Sequence, residues 1–411
     1  MMRKYITCCS FALLLALPLI NAGAQTLPVF PVDGPFTVPP VTPPPPPVPL
    51  PAVSSAAAVS TAPFSFGTAP GVSFSGQTDI AALLEGAIRA STSTVDIAVY
   101  GFTLPGVAQA LVDAKDRGVA VRVICNDSHL FSTRVSEELQ LLLDKGVNVR
   151  SLRGVGRYGI MHNKLGVYDG RLVSAGSFNW AVTANTANSE NSIFIKDPHA
   201  IDGYKKYYEW MWNFARPAAA GPGEPVKDYG PPPEDGARAL QFNGMLLPAY
   251  SFSPGGRTEA NITGAVNFAR ERADIAVFSF YSTDIAQAVV NAHKRGVAVR
   301  VLVDRVQASQ SEVGELLLKN GVPFRWSQGF AGKGVMHNKY AVLDSRLLMT
   351  GSFNWSVNAQ ENNFENMYYT MAPAAASAFE AQFENLFSKA ETPTLEDLRR
   401  ERALYRAGAG R

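Results

Sequence analysis

Gly159-Ile160-Met161-His162-Asn163-Lys164 and, 175 positions later, Gly334-Val335-Met336-His337-Asn338-Lys339 are nearly the same sentence written twice. Asp169 and Asp344 follow at the same distance from each His, then Gly176-Ser177-Phe178-Asn179-Trp180 and Gly351-Ser352-Phe353-Asn354-Trp355. Glu190 and Glu365 close each copy, both 28 positions after the His. Polar residues repeated at fixed spacing in two copies predict two half-sites that make one composite site.

Upstream the duplication continues. Asp96-Ile97-Ala98-Val99-Tyr100 answers Asp274-Ile275-Ala276-Val277-Phe278, and Gly118-Val119-Ala120-Val121-Arg122-Val123 recurs from Gly296, both with an offset of 178, so the second copy lacks three residues before its motif. Each unit alternates apolar strands with amphipathic helices, the order of an α/β sheet. Helices are predicted over Gly106 to Arg117, Thr283 to Arg295, Leu139 to Lys145 and Leu316 to Lys319, each ending at a glycine suited to a C-cap. Closing helices Tyr204 to Phe214 and Phe379 to Phe387 carry aromatics read as packing against the sheet.

The pattern H-x-K-x4-D-x6-G-S-x-N, present twice, resembles the signature of the phospholipase D superfamily. That resemblance implies an α/β fold of two phospholipase D-like lobes, each a mixed β-sheet flanked by helices, related by a pseudo-two-fold axis with the active site at the lobe interface. It also implies that one His attacks phosphorus to form a phosphohistidine while the other protonates the leaving alkoxide. By analogy His162 is the nucleophile and His337 the general acid.

The residues themselves suit that chemistry. Two His, two Lys and two Asn supply a nucleophile, a proton donor and fixed positive charge without a metal or other cofactor. On a strand, His162 and Lys164 share a face, as do His337 and Lys339. Lys164, Lys339, Ser177, Asn179, Ser352 and Asn354 are the expected phosphate ligands, with Gly176 and Gly351 admitting a close approach. Glu190 and Glu365 are expected to orient the imidazoles through their far nitrogens. Asp169 and Asp344 read as structural charges. No metal-ligand spacing occurs, and a Lys two residues from His repels a cation; His129, His199 and His293 read as ordinary surface or helix residues.

Arg3 and Lys4 precede an uncharged apolar run, Tyr5 to Ile20, and Ala22-Gly23-Ala24 offers a cleavage site, so residues 1–24 are expected to be a signal peptide and the protein periplasmic or secreted. The run is short for a membrane-spanning anchor. Cys8 and Cys9 fall within it, leaving Cys125 as a buried thiol. Without Arg3 and Lys4 the 37 basic residues become 35 against 35 acidic ones, a neutrality that argues against dedicated duplex binding. Residues 25–76, rich in Pro, Ala and Ser, are expected to be a linker; 77–216 and 241–390 the two lobes; 217–240 the inter-lobe linker; and 391–411 a charged tail.

The expected activity is hydrolysis of phospholipid headgroup diesters at a membrane surface, a phosphoric diester hydrolase. An endonuclease acting on nucleic acid is the alternative, and a phosphatidyl transferase or an inactive binding module follow behind. Arg150, Arg153, Arg157, Arg325 and Lys333 are candidate grips for lipid phosphate or a strand backbone. With both half-sites in one chain, a monomer is expected to suffice.

Overall fold

The computed structural model describes residues 64–408, so the expected signal peptide and most of the expected linker lie outside the described residues. Two mixed sheets organise the chain. The first has eight strands in the order Val72–Phe74, Asn191–Ile195, Leu172–Gly176, Lys164–Tyr168, Thr94–Val99, Ala120–Asn126, Asn148–Leu152, Arg216–Pro217. The second has seven: Tyr250–Ser253, Glu365–Thr370, Leu347–Gly351, Lys339–Leu343, Arg272–Val277, Ala298–Asp304, Phe324–Ser327. In each, the strand carrying the motif Lys is antiparallel to a strand that is itself parallel to the next two.

Each motif strand is buried on both faces: Lys164–Tyr168 and Lys339–Leu343 hold no exposed position. That follows from the layering. One face of the first sheet packs on helices Ile80–Ala90, Pro105–Asp116 and Glu137–Asp144, and one face of the second on Thr258–Phe268, Thr283–Lys294 and Val313–Lys319. The other two faces share a single core in which Leu165 and Val167 join Tyr340 and Val342. The closing helices, Pro198–Phe214 and Pro373–Lys389, add their aromatics to that shared core rather than to their own sheet alone: Tyr207 stacks on Phe252 of the second lobe at 3.9 Å, and Phe379 meets Phe74 of the first at 5.0 Å. Gly118 and Gly296 end their helices at a φ of 91°, the left-handed turn that glycine adopts without strain.

One expected boundary shifts, and two expected segments prove packed. Val72–Phe74, assigned to the Pro-rich linker, is an edge strand against Asn191–Ile193, because alternate residues Val72 and Phe74 reach the shared core. The inter-lobe linker is a packed strap: Val226 bridges to Val155, and the Tyr229 hydroxyl donates to the Arg153 carbonyl at 2.8 Å. The charged tail is a docked helix, Leu395–Gly408, anchored by fully buried Leu398 and an Arg305–Glu401 ion pair. Among the described residues no helix is long and apolar enough to cross a membrane.

Candidate active site

His162 and His337 sit just before the strands that carry their lysines rather than on them. Their backbone N–H groups bond across the lobe interface, His162 to the Phe364 carbonyl at 3.0 Å and His337 to the Ser189 carbonyl at 2.9 Å. The neighbouring asparagines knit the same seam: Asn366 donates to Asn163 and Asn191 to Asn338, both at 2.8 Å. These bonds fix each imidazole with respect to the opposite lobe.

The carboxylates pair crosswise. His162 Nδ1 lies 2.8 and 2.9 Å from the two oxygens of Glu365, and His337 Nδ1 lies 2.9 Å from Glu190. Each glutamate therefore orients the histidine of the other copy and leaves that ring's Nε2 for chemistry. Both imidazoles are nearly buried, at 6% and 5% exposure, and both glutamates wholly so.

The serines serve the glutamates, not a ligand. Ser177 Oγ donates to Glu190 at 2.7 Å while accepting the Asn191 N–H, and Ser352 Oγ donates to Glu365 at 2.6 Å while accepting the Asn366 N–H. Their hydroxyls are thus engaged on both sides, which removes Ser177 and Ser352 from the phosphate ligands. Gly176 likewise admits a protein neighbour: a Cβ there would stand 2.6 Å from the Asn191 carbonyl oxygen. Asn179 and Asn354 differ, since each side-chain oxygen is buried with no hydrogen-bond partner among the described residues. Such an amide can turn either end toward a ligand.

Lys164 and Lys339 each donate back to the carbonyl of the preceding His at 2.6 Å, which aims the ammonium groups beside the imidazoles. Burial lowers Lys164 to about 8, against the pull of Glu365 and Glu190, and burial with the Lys164 charge lowers Lys339 to about 7. Burial pushes His337 down to about 4 even with Glu190 opposing, and burial plus both ammonium charges hold His162 well below its ordinary value. Glu365 is pushed up to about 8 by burial.

Asp169 and Asp344 stand in the turns after the motif strands, not on a strand face, with φ of 50° and 51°. Asp169 accepts the N–H groups of Thr92, Ser93 and Thr94, and Asp344 those of Arg270, Glu271 and Arg272. Trp180 and Trp355 are core residues. Three of the basic candidates are occupied elsewhere: Arg150 lies over Trp212 and bonds its carbonyl, Arg153 bonds the Gly223 carbonyl, and Arg325 bonds the Phe387 carbonyl. Cys125 is fully buried, its thiol pushed up to about 12. Among the described residues no cluster of three or more His, Cys, Asp or Glu is arranged to hold a metal ion.

One residue that sequence reading set aside is at the site. His129 stacks edge-on against Tyr100 at 4.6 Å, and Tyr100 in turn against His162 at 5.2 Å. Its distance along the chain from either motif hid it. The Asp127–Leu130 helix that bears it follows directly on Ala120–Asn126, the strand next but one to the motif strand.

The model of the cardiolipin synthase, phospholipase D-like domain matches residues 84–212 and again 262–387, more than half of the chain. The chain belongs to the phospholipase D superfamily. A mitochondrial cardiolipin hydrolase of Xenopus tropicalis is 37% identical over 123 residues, 29% of this chain and 57% of that protein. The human protein of the same name is also 37% identical, over 47% of its length, and a phospholipase D of Rickettsia prowazekii is 31% identical over 55% of its length. The chain thus spans about half the length of these curated relatives. A phosphatidylserine synthase structure from Haemophilus influenzae superposes over 82% of this chain and 94% of its own, with a TM-score of 0.59 at 12% identity, a likeness of fold.

Proposed function

We propose that this protein is a phospholipase D-type phosphodiesterase that hydrolyses phospholipid headgroup diesters through a phosphohistidine, without a metal or other cofactor. The observation that carries the chemistry is the pair of buried imidazoles, one from each lobe, each held through Nδ1 by a glutamate of the other lobe. One imidazole Nε2 attacks phosphorus, forming a P–N bond as the P–O ester bond breaks. The departing alkoxide takes its proton from the other imidazole. Water then attacks phosphorus, giving its proton to that second imidazole, and the P–N bond breaks. Lys164, Lys339 and the two motif asparagines hold the phosphoryl oxygens throughout. The family pattern gives attack to His162 and proton transfer to His337.

Lipid as substrate is supported by the relatives named for cardiolipin hydrolysis and for phospholipase D. A nuclease of the same chemistry is the second reading. Its support is the groove beside His162, where the rings of Tyr100 and His129 and the Arg134 cation lie together with the carboxylates of Glu137 and Glu138. The proposal also has a catalytic monomer, since both half-sites are in one chain, and an exported enzyme, on the N-terminal reading.

The test is an assay in EDTA on phosphatidylcholine, phosphatidylethanolamine and cardiolipin vesicles and on single-stranded DNA and RNA, with His162→Ala and His337→Ala in parallel. Headgroup or phosphatidic acid release, lost in both variants, is expected. Cleaved nucleic acid with intact lipid overturns the lipid reading, and activity surviving both substitutions overturns the two-histidine chemistry.

A further inference from the structure

The two half-sites match closely at their centre but not at one shoulder, which equivalent anchors delimit. Asn126 Oδ1 accepts the Met161 N–H at 3.0 Å where Asp304 Oδ2 accepts that of Met336 at 3.1 Å. Ser136 Oγ donates to the Phe102 carbonyl at 2.7 Å where Ser311 Oγ donates to that of Phe280 at 2.6 Å. Asn126 and Asp304 are 178 apart in sequence and Ser136 and Ser311 are 175 apart, so the three residues that lobe 1 has and lobe 2 lacks fall between these anchors.

In lobe 1 the longer segment walls a groove of about 570 Å³ lined by Tyr100, His129, Arg134, Asn179 and Thr183. Tyr100 joins it to the catalytic centre, since its ring touches both His162 and His129 and Lys164 Nζ lies 5.6 Å from the ring centroid. Asn179, the motif amide with an unengaged oxygen, stands in the same wall. In lobe 2 the aligned positions hold Phe278 and Gln307. There the C-terminal helix Leu395–Gly408 lies against Arg305–Gln310. Its Leu398 is fully buried, and its Arg402 donates to the carbonyls of Ser309 at 2.7 Å and Ser311 at 3.1 Å.

We propose that the lobe 1 groove is the subsite for the polar organic group esterified to the scissile phosphate, and that the C-terminal helix, by covering the matching shoulder of lobe 2, makes the diester bind in one direction, with the departing alcohol beside His162 as its proton donor and in-line attack from His337, an exchange of the roles that the family pattern gives. Two half-sites that each offer His, Lys and Asn give a phosphate no reason to prefer one orientation, so direction must come from what surrounds them. The rings of Tyr100 and His129 offer a face for the carbon skeleton of a polar alcohol. Exposed Arg134 and Glu137 at the rim meet its polar atoms and repel acyl chains, because charge against hydrocarbon loses its hydration. Tyr100, His129 and Arg134 are specificity-determining residues on this account, which rests on the phosphodiesterase reading above.

The test uses the full chain and three kinds of diester: the methyl diesters dihexanoyl phosphatidylmethanol and thymidine methyl phosphate, whose departing methanol needs no subsite, dihexanoyl phosphatidylcholine as a soluble lipid, and an oligothymidylate. Thr183→Trp, which fills the groove from an exposed position, and His129→Ala are compared with Gln307→Ala, the matching change in lobe 2. Thr183→Trp is expected to raise KM for the phosphatidylcholine roughly tenfold and leave the methyl diesters within about twofold. His129→Ala shifts the same ratio in the same direction, and Gln307→Ala leaves it unchanged. Equal loss on the large and small diesters, or no change on either, overturns the subsite. If the wild type cleaves the oligothymidylate and not the lipid, the lipid reading fails, and the groove stands or falls by the same KM ratio on the oligonucleotide. A wild type that cleaves none of the three overturns both.

Discussion

The crosswise pairing makes a prediction that a side-by-side site would not: Glu365→Gln should damage His162, which belongs to the other copy of the motif. In the wild type Glu365 meets Nδ1 of His162 through both oxygens and is itself held by Ser352 and Asn363. Glutamine keeps the shape but can neither take up the imidazole's proton nor carry a negative charge when the imidazole becomes charged. A hydrogen bond to a charged group contributes about 1.5–3 kcal/mol. If that support is exerted mainly as the imidazole changes charge along the reaction, kcat should fall roughly 10- to 100-fold at about 1.4 kcal/mol per decade. The assay is kcat on methyl 4-nitrophenyl phosphate, together with NMR titration of ¹⁵N-labelled histidines. Without a carboxylate able to ionise opposite the imidazolium, the His162 titration should fall still lower and that of His337 stay in place. If the His337 resonance moves and that of His162 stays, or if kcat is unchanged, the crosswise assignment is wrong.

Ser177→Ala and Ser352→Ala should each lower kcat only several-fold, about 1 kcal/mol for one lost hydrogen bond to the orienting glutamate, with KM unchanged; a KM effect without a kcat effect would return the serines to the phosphate. The kcat/KM profile of the free enzyme should lose activity as pH rises through about 7 and 8, where Lys339 and Lys164 shed their protons, and again in acid, where the attacking imidazole, held below its ordinary value by burial, gains the proton that blocks attack. A profile flat to pH 9 would mean that the ammonium charges are dispensable. Asp344→Ala should destabilise the fold by about 2 kcal/mol, since three backbone N–H groups lose their acceptor. Burial raises the Asp344 pKa, but bonds from Arg272, Glu271 and Arg270 outweigh it and leave the group below 3.8. A depressed carboxyl stabilises above its unfolded pKa and stops doing so as pH falls through its folded one, so wild type and variant should converge in thermal stability only in strong acid.

Sequence alone determined the duplication, the α/β alternation and the His, Lys, Asn and Glu of the site, because these are local or periodic. A strand reads as an apolar run, a helix as a repeat near four residues, and a half-site as fixed spacing within one copy. Tertiary structure decided what spacing within a copy does not contain. Glu190 and His162 lie 28 residues apart in one copy, yet each finds its partner in the other, because the inner sheet faces share one core and bring the strand ends together across the seam. The serine hydroxyls turn to those glutamates for the same reason. His129 and the C-terminal helix gained their places only when three extra residues in one lobe and a docked helix on the other made two matched halves unlike at one shoulder.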